Sequence, residues 1–452
     1  MKAAGSLREQ IELLERRGDL VRIETEVDPR FEIAALSKKL EQGPALFFER
    51  IRGYSGCSLV LNTDNLRERI AAALGTDNLG LIPRYLEAIK NPIGVRVVPD
   101  GPVKEVKTLD NIDLLKVLPV LTHHEQDGGP YITSAVIIAE DPARGIRNCS
   151  YTRLQAVGGD ELRTLIQPRH LFQLVDPAER ENKAFPVAIV IGLPISIRLA
   201  AATWGAHMPF GFDELTLAGG LQQYPVDVVR CETSEIHVPA MAEYVLEGEV
   251  LPGVRRQEGP YAEFTGNYAS VGDRHVIKVR AITHRRKPIY QGLLSFTPEH
   301  HSIGGTPKEP VVYLGVKTCV PGTQAVHLTP SSCGCFHAVI QIKKRHPGDG
   351  KNAIIAGLYS IPDIKLVTVV DDDVDPFNPR EVEWAIATRF QADRDLIVIS
   401  GAKGNELDHS CAEEALTAKM GIDATKPVGA DQRFEKVRVP GVTEIKLENY
   451  ME

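Results

Sequence analysis

The sequence predicts a multidomain chain of α/β class (α+β overall), with two α/β layers on either side of a β-rich middle. Three observations carry that expectation. Helix and strand periodicities alternate over about the first hundred residues. Short strand patterns punctuated by Gly and Pro dominate 132–294. Alternation of helix and strand then returns after Pro310. At 452 residues the chain has room for two to four domains on the usual prior of about 100 to 200 residues each.

Each element has its own local reason. Ser6, with Glu9 three residues on, is a capping-box signature that opens a helix expected to end at Gly18. Residues 20–27 alternate as a strand, 31–42 read as a helix, 45–51 as a strand, and 65–74 and 82–89 as helices. Scattered Pro, Asp and Gly over 100–129 sustain no period, which marks the first boundary. In the middle, 135–139, 150–156, 188–191, 226–231 and 276–282 read as short strands, and 249–253 as a short strand and turn. Many short strands favour a barrel or sandwich over a doubly wound sheet. Beyond Pro310, strands are expected at 338–342, 365–370 and 396–400, with a helix at 380–388. There is no internal repeat or low-complexity tract, and the charged tail after Pro427 is expected to drape over another element or subunit.

Composition excludes several classes of function. Hydrophobic residues at 43% and charged residues at 25% match a globular protein, so disorder and coiled coil are disfavoured. A net charge of -8 repels phosphate backbones and anionic lipid, so nucleic acid is not an expected partner. The longest apolar stretch, 184–195, contains a Gly and two Pro and falls short of the ~20 residues that cross a bilayer, so no membrane span is expected. The N-terminus has no apolar signal region, and seven cysteines are odd in number and too sparse for a disulfide framework. Together these features predict a reduced, cytoplasmic setting.

The run Glu258-Gly-Pro-Tyr-Ala-Glu263 is the most suggestive of chemistry. A Gly-Pro turn can aim both carboxylates into one pocket, where repulsion and desolvation hold one proton near neutral pH, as a general acid requires. Two solvated glutamates beside a turn are the plainer alternative. Asn148-Cys-Ser150-Tyr-Thr-Arg153 reads as a strand with Asn148 and Ser150 on one face and Arg153 on the other, unless a bulge or twist intervenes. Such polarity suits either an exposed sheet face or a phosphate or metal-phosphate site. His170, after Arg169, and Glu214, after Asp213, would complete with Asn148 a mixed O/N donor set for Mn²⁺ or Mg²⁺, although spacing alone favours a satisfied histidine and a solvated acid.

Other motifs point less far. Cys333-Gly-Cys335-Phe-His337 lacks the second ligand pair of a closed zinc site and reads as a loop entering the next strand. The pairs His123-His124 and His300-His301 are solvated or capping residues, or ligands of a metal-dependent hydrolase. The acidic run from Asp371 to Asp375 is expected to cap the following helix. Dinucleotide-binding, P-loop and α/β-hydrolase signatures are absent from the sequence.

Taken together, these motifs resemble the UbiD family of reversible decarboxylases that use prenylated FMN. The likeness rests on Asn148-x-Ser150-x-x-Arg153, Pro168-x-His170, Asp213-Glu214 with Ala218-Gly219, Val238-Pro239-Ala240 with Glu243 and Glu247-Gly248, and Glu258-Gly-Pro-Tyr-Ala-Glu263. They fall in family order and spacing, and Val369 to Asp375 with Trp384 to Arg389 extend the likeness downstream. The resemblance implies an N-terminal α/β domain (1–120), a central split β-barrel flavin-binding domain (121–310) and a C-terminal α/β oligomerisation domain (311–452). It further implies that Asn148, His170 and Glu214 hold Mn²⁺ (or Mg²⁺), with K⁺ nearby. That metal would tether the cofactor phosphate beside Ser150, Arg153 and Arg169. Arg153, Glu258 and Glu263 would form the catalytic network. By the same resemblance the reaction is reversible, non-oxidative decarboxylation through a covalent prenylated-FMN adduct, with Glu263 as proton donor. A flavin prenyltransferase would supply the cofactor, and the chain would form a homodimer or a hexamer of dimers.

For substrate, the resemblance points to an aromatic or heteroaromatic carboxylate that releases CO₂. His300 and His301 lie in the loop where the family varies, and a His pair there resembles members acting on furan or pyrrole acids. Neighbouring loops offer Lys308 and Cys335 rather than an arginine for a second carboxylate, so a monocarboxylate is expected. A metal-dependent hydrolase, or a non-catalytic subunit of a larger carboxylase, is the alternative to be excluded.

Overall fold

The computed structural model describes residues 2–203, 208–437, 439–442, 445 and 449–450. The first helix, Leu7–Arg16, starts where its cap predicts. Ser6 Oγ accepts from the Glu9 amide, and the Glu9 carboxylate accepts from the Gly5 amide. Its apolar stripe, Leu7 and Ile11, packs on Phe47, Val60 and Ile289 of a four-stranded sheet. That sheet runs Leu20–Ile23, Ala45–Phe48, Ser58–Leu61, Ile289–Gln291. Its last strand arrives from far downstream and pairs in parallel with Ser58–Leu61. Ser58–Leu61 and Ile289–Gln291 went unpredicted, whereas Leu20–Ile23 and Ala45–Phe48 were expected and run shorter than the 20–27 and 45–51 read from sequence.

The middle of the chain forms a nine-stranded sheet, antiparallel in every pairing. Its path runs Tyr131–Ile132, Leu154–Ala156, Glu161–Thr164, Gly272–His284, Tyr244–Glu258, Phe185–Ile191, Val136–Asp141, Ile146–Tyr151, with Val106–Thr108 pairing off that path. Ile146–Tyr151 therefore ends the path, whereas Leu154–Ala156 lies next to its opposite end. Only Thr152 and Arg153 separate the two strands in the chain. Three Cα–Cα steps of about 3.8 Å cannot cross six strand spacings of about 4.8 Å, so the sheet must curl until its ends meet. The result is a barrel split along a seam, with Thr152 and Arg153 in the seam. The single strand expected over 150–156 is thus two strands, and the break frees Arg153 from strand parity.

Strands of this barrel are buried on both faces. In Phe185–Ile191, the residues Val187, Ile189 and Ile191 join one apolar cluster while Ala188 and Val190 join another, so the segment reads as a continuous apolar run. The short strand and turn expected at 249–253 belong instead to one long strand, Tyr244–Glu258. Its register slips between Val250 and Arg255, with Gly253 at positive φ inside the irregularity. Within this middle region three helices went unpredicted. Ile195–Ala201 and Glu214–Gln222 are buried nearly all round and so lack an amphipathic stripe, and His170–Arg180 contains Pro177, which reads as a breaker.

The C-terminal part builds a five-stranded mixed sheet in the order Thr323–Leu328, His337–Ile342, Leu366–Asp371, Leu416–Ala424, Leu396–Lys403. Helices Glu309–Cys319, Asp349–Ser360 and Pro379–Arg389 accompany it. The acidic run does not cap the last of these. Asn378 does so, accepting from the Arg380 amide, while Asp371 and Asp373 grip Arg389 and Lys426. Cys333 and Cys335 lie in a turn before the strand, where His337 Nε2 is 2.9 Å from Thr368 Oγ1. All seven cysteines are free thiols. Among the described residues no helix is long and apolar enough to cross a membrane. Of the tail after Pro427, residues 438, 443–444, 446–448 and 451–452 lie outside the described residues.

Candidate active site

The strand Tyr244–Glu258 ends in a fully buried carboxylate, that of Glu258. After the Gly-Pro turn, a two-stranded ribbon of Tyr261–Ala262 against Tyr268–Ala269 presents Glu263. Arg153 reaches both acids from the seam. Its Nε and Nη2 lie 2.9 and 3.1 Å from the two oxygens of Glu258, and Nη1 donates to Glu263 Oε1. Burial works against the Arg153 charge, but the hydrogen bond to Glu258 and the charges of both glutamates hold its pKa above the ordinary value. Burial pushes the Glu263 carboxyl up despite the pull of Arg153, with the Glu258 charge adding to the rise.

Two tyrosines complete this cluster, and sequence reasoning missed both. Tyr131 donates to Glu258 Oε1 at 3.0 Å, and the Tyr261 ring lies 5.0 Å from the Arg153 guanidinium. The two rings are 4.7 Å apart. The signal was in the sequence: Gly-Pro-Tyr occurs at 129–131 and again at 259–261.

A second polar group lies on the strand Ile146–Tyr151, which leads into the seam. Ser150 Oγ is 3.3 Å from Asn148 Oδ1, so the two share a face as expected. Glu214 opens the helix Glu214–Gln222 and accepts from the Cys149 amide at 2.8 Å and from Asn148 Nδ2 at 3.2 Å. Asp213 caps that helix and is held by Arg147 at 2.7 Å, a contact the sequence pattern did not reveal. His170 opens the helix His170–Arg180, with Arg169 just before it. Burial pushes the Glu214 carboxyl up to about 8 and the His170 imidazole down.

Among the described residues, no group of three or more His, Cys, Asp and Glu side chains forms a ready-made metal cage. Here two such side chains, His170 and Glu214, stand with the Asn148 amide. That is a hard O/N set which suits Mn²⁺ or Mg²⁺ only when external oxygens, such as those of a phosphate, complete the shell. A carboxylate so buried keeps its proton for want of counter-charge, and a divalent cation would ionise it.

Every residue named from the sequence for these roles lines one cavity of about 710 Å³, except Glu258, which lies behind Arg153, and His301. Leu165, Ile166, Leu293 and Ile303 add apolar lining. One wall is the helix Pro298–Gly305, capped by Thr297. His300 lines the cavity, and its Nδ1 is buried without a partner. His301 instead holds its Nε2 2.7 Å from the Phe264 carbonyl, in the loop of Glu263. Lys308, in the turn after the helix, also lines the cavity, whereas Cys335 does not.

Beneath that wall Glu299 accepts from the amides of Asn62 and Asp64 and from the Thr63 hydroxyl, while fully buried Arg198 pairs with Asp64 and reaches Tyr151. This junction also went unread, although a lone arginine within the apolar run of Ile195–Ala201 was a usable sign. Of the four histidines considered for a hydrolase, only His300 lines the cavity. A larger hollow of about 920 Å³, lined by Arg17, Glu68, Asp372 and Phe377 among others, contains none of the candidate residues.

His123 and His300 are both held neutral by burial, at about 4 and about 3 against an ordinary 6.5. Below pH 6.5 the unfolded chain takes up protons at these positions and the native chain does not, so their contribution makes stability fall with pH from about 6.5 down towards about 4. Thermal unfolding across pH 4 to 7 is expected to show a shallower acid slope for His300→Asn than for the wild type. An unchanged slope would mean that His300 does not stay neutral in the native state.

Family models match almost the whole chain. The N-terminal domain of the 3-octaprenyl-4-hydroxybenzoate carboxy-lyase (UbiD) family matches 11–89, its Rift-related domain 96–298, and its C-terminal domain 301–424. An anhydromevalonate phosphate decarboxylase of Methanosarcina mazei is 39% identical over 435 residues, covering 96% of this chain and 99% of that protein. The structure of the UbiD-class enzyme HmfF from Pelotomaculum thermopropionicum in complex with FMN is 44% identical, with a TM-score of 0.94 over 99% of this chain and 100% of that one. An evolved dimeric form of HmfF in complex with prFMN is 42% identical, with a TM-score of 0.90 over the same shares.

Proposed function

Because the chain belongs to the UbiD family of carboxy-lyases, we propose that it catalyses the reversible, non-oxidative decarboxylation of an aromatic or heteroaromatic monocarboxylate. Carboxy-lyase activity displaces the hydrolase and non-catalytic readings. The observation that carries the proposal is the single Arg153 shared by two glutamates at the edge of a cavity. In this reading Asn148, Ser150, Arg169, His170 and Glu214 would hold the phosphate of prenylated FMN through Mn²⁺ or Mg²⁺, with K⁺ nearby. When bound, that cofactor supplies the electron sink that loss of CO₂ from an sp² carbon requires.

The chain's own residues then divide the work. Arg153 takes the substrate carboxylate in place of Glu263, while Glu258 and Tyr131 keep the guanidinium aligned. Released from Arg153, Glu263 lies in a desolvated site that favours its protonated form. As the C–C bond breaks and CO₂ departs, the electron pair it leaves would be taken up by that sink until the ring carbon is reprotonated. Glu263 then gives its proton to that carbon. Neutral His300 offers a hydrogen bond to a ring heteroatom or edge N–H, which favours furan and pyrrole acids. We further propose a cytoplasmic homodimer that receives its cofactor from a flavin prenyltransferase.

A second reading has its own support. Lys308 on the cavity wall suits an anionic group, and the Methanosarcina relative is named for a phosphorylated acid. Turnover of pyrrole-2-carboxylate, 2-furoate, furan-2,5-dicarboxylate, cinnamate, 4-hydroxybenzoate and a phosphorylated enoic acid by wild type and His300→Ala separates the two. Heteroaromatic monocarboxylates are expected to lead by roughly 1 to 3 kcal/mol, the cost of stranding a buried polar group, and to lose that lead in His300→Ala. A phosphorylated acid turned over best would replace the leading substrate class.

A further inference from the structure

Resting on the proton-donor role proposed for Glu263, we infer that Asp127 and His301 are positioning residues that bracket Glu263 and hold it on target once substrate takes its partner away. Asp127 has a fully buried side chain although it lies in a loop. Its Oδ1 accepts from the Ala262 amide at 3.1 Å and its Oδ2 from the His124 amide at 2.9 Å. On the other side of Glu263, His301 Nε2 holds the Phe264 carbonyl. Both neighbours of Glu263 are therefore tied to other elements, one by the loop before the barrel and one by the substrate-wall helix.

The contacts around this bracket are close. The Gly128 amide donates to the Pro260 carbonyl at 2.8 Å, and the Gln126 amide to the Tyr268 hydroxyl at 3.1 Å. Gln155 Nε2 secures the Gly128 carbonyl at 2.7 Å. A Cβ on Gly128 would collide with the Gly259 carbonyl, so only glycine allows the two loops to lie this near.

The need for such a bracket follows from the Arg153 geometry. Without substrate, Arg153 Nη1 anchors the Glu263 side chain directly. A carboxylate substrate competes for that same nitrogen, so Glu263 loses its side-chain anchor at the moment when it must deliver a proton. Its position then depends on its backbone. Proton transfer needs heavy atoms within about 3 Å, and a misplacement of about 1 Å can cost on the order of 100-fold in rate.

The test compares Asp127→Asn, His301→Ala and His301→Gln in the flavin-loaded enzyme, with Glu263→Gln alongside. Asparagine keeps one acceptor oxygen where aspartate had two, so one backbone amide loses its partner. Asp127→Asn and His301→Ala should each lower kcat roughly 10- to 100-fold, with KM within about threefold and an enlarged solvent isotope effect on kcat. Flavin occupancy should match wild type, and His301→Gln, which restores a donor, should recover most of the rate. Wild-type kcat in Asp127→Asn, or losses that follow flavin occupancy, would overturn the inference. Should Asp127→Asn fail to fold, Tyr268→Phe decides, because it removes the acceptor of the Gln126 amide; a smaller fall in kcat with the same split supports the bracket and an unchanged kcat refutes it. Full activity in Glu263→Gln would instead remove the proton-donor reading, separating that failure from this one.

Discussion

Glu263→Gln is expected to lose turnover by at least about 100-fold, the lower range of what a positioned general acid contributes, while binding flavin as wild type does. The amide preserves shape and can still accept a hydrogen bond from Arg153, but it has no acidic proton to give. Because Glu258 holds Arg153 through two bonds and is itself held by Tyr131, the guanidinium should stay in place and KM should change little. The assay is CO₂ release together with proton exchange at the ring carbon, since a lost proton donor must slow both. A variant keeping more than about a tenth of wild-type turnover would leave Glu263 without the role of acid.

Replacement of Glu214 by alanine should act at the other pole of the cavity and remove bound metal and flavin together. Glu214 supplies the buried carboxylate of the candidate metal set and fixes Asn148, so its loss takes away one donor and disorders a second. Loss of a partner that orients a ligand costs about 10- to 100-fold in metal affinity, and loss of a ligand costs more. Asn148→Ala should behave alike, because a hard cation holds phosphate poorly when its shell is incomplete. Metal analysis and flavin absorbance of purified protein check this, and full flavin occupancy in both variants would refute the assigned anchor.

The site was more legible in the sequence than the fold was, for a physical reason. Asn148, Ser150 and Arg153 are polar residues on a strand where apolar ones are expected, and Glu258 and Glu263 are two acids around a Gly-Pro turn; such features show in a one-dimensional reading. Arg147 does not, because its importance lies in the Asp213 it meets after folding, and the signs left by Tyr131 and Arg198 name no partner. The capped helix Leu7–Arg16 was readable from Ser6 and Glu9, whereas Ile195–Ala201 and Glu214–Gln222 were hidden by burial on all sides. The strand Ile289–Gln291 belongs to a sheet begun near the N-terminus, a pairing that no local pattern encodes. The seam was half visible, since the parity conflict at Arg153 called for a break without saying where the barrel would close.

That seam also acts as a ruler. Asn148 and Arg153 stand five residues apart on one continuous segment, so the span between the proposed phosphate anchor and the carboxylate clamp can be at most about 17 Å and is set by covalent bonds. The wall bearing His300 and Lys308 belongs to a separate element, joined to this segment only by packing and hydrogen bonds. Evolution can therefore redraw the wall without altering the spacing that the shared chemistry needs. Changes of substrate within one lineage should accumulate on the helix and turn from Pro298 to Lys308, while the segment from Asn148 to Arg153 tolerates neither insertion nor deletion.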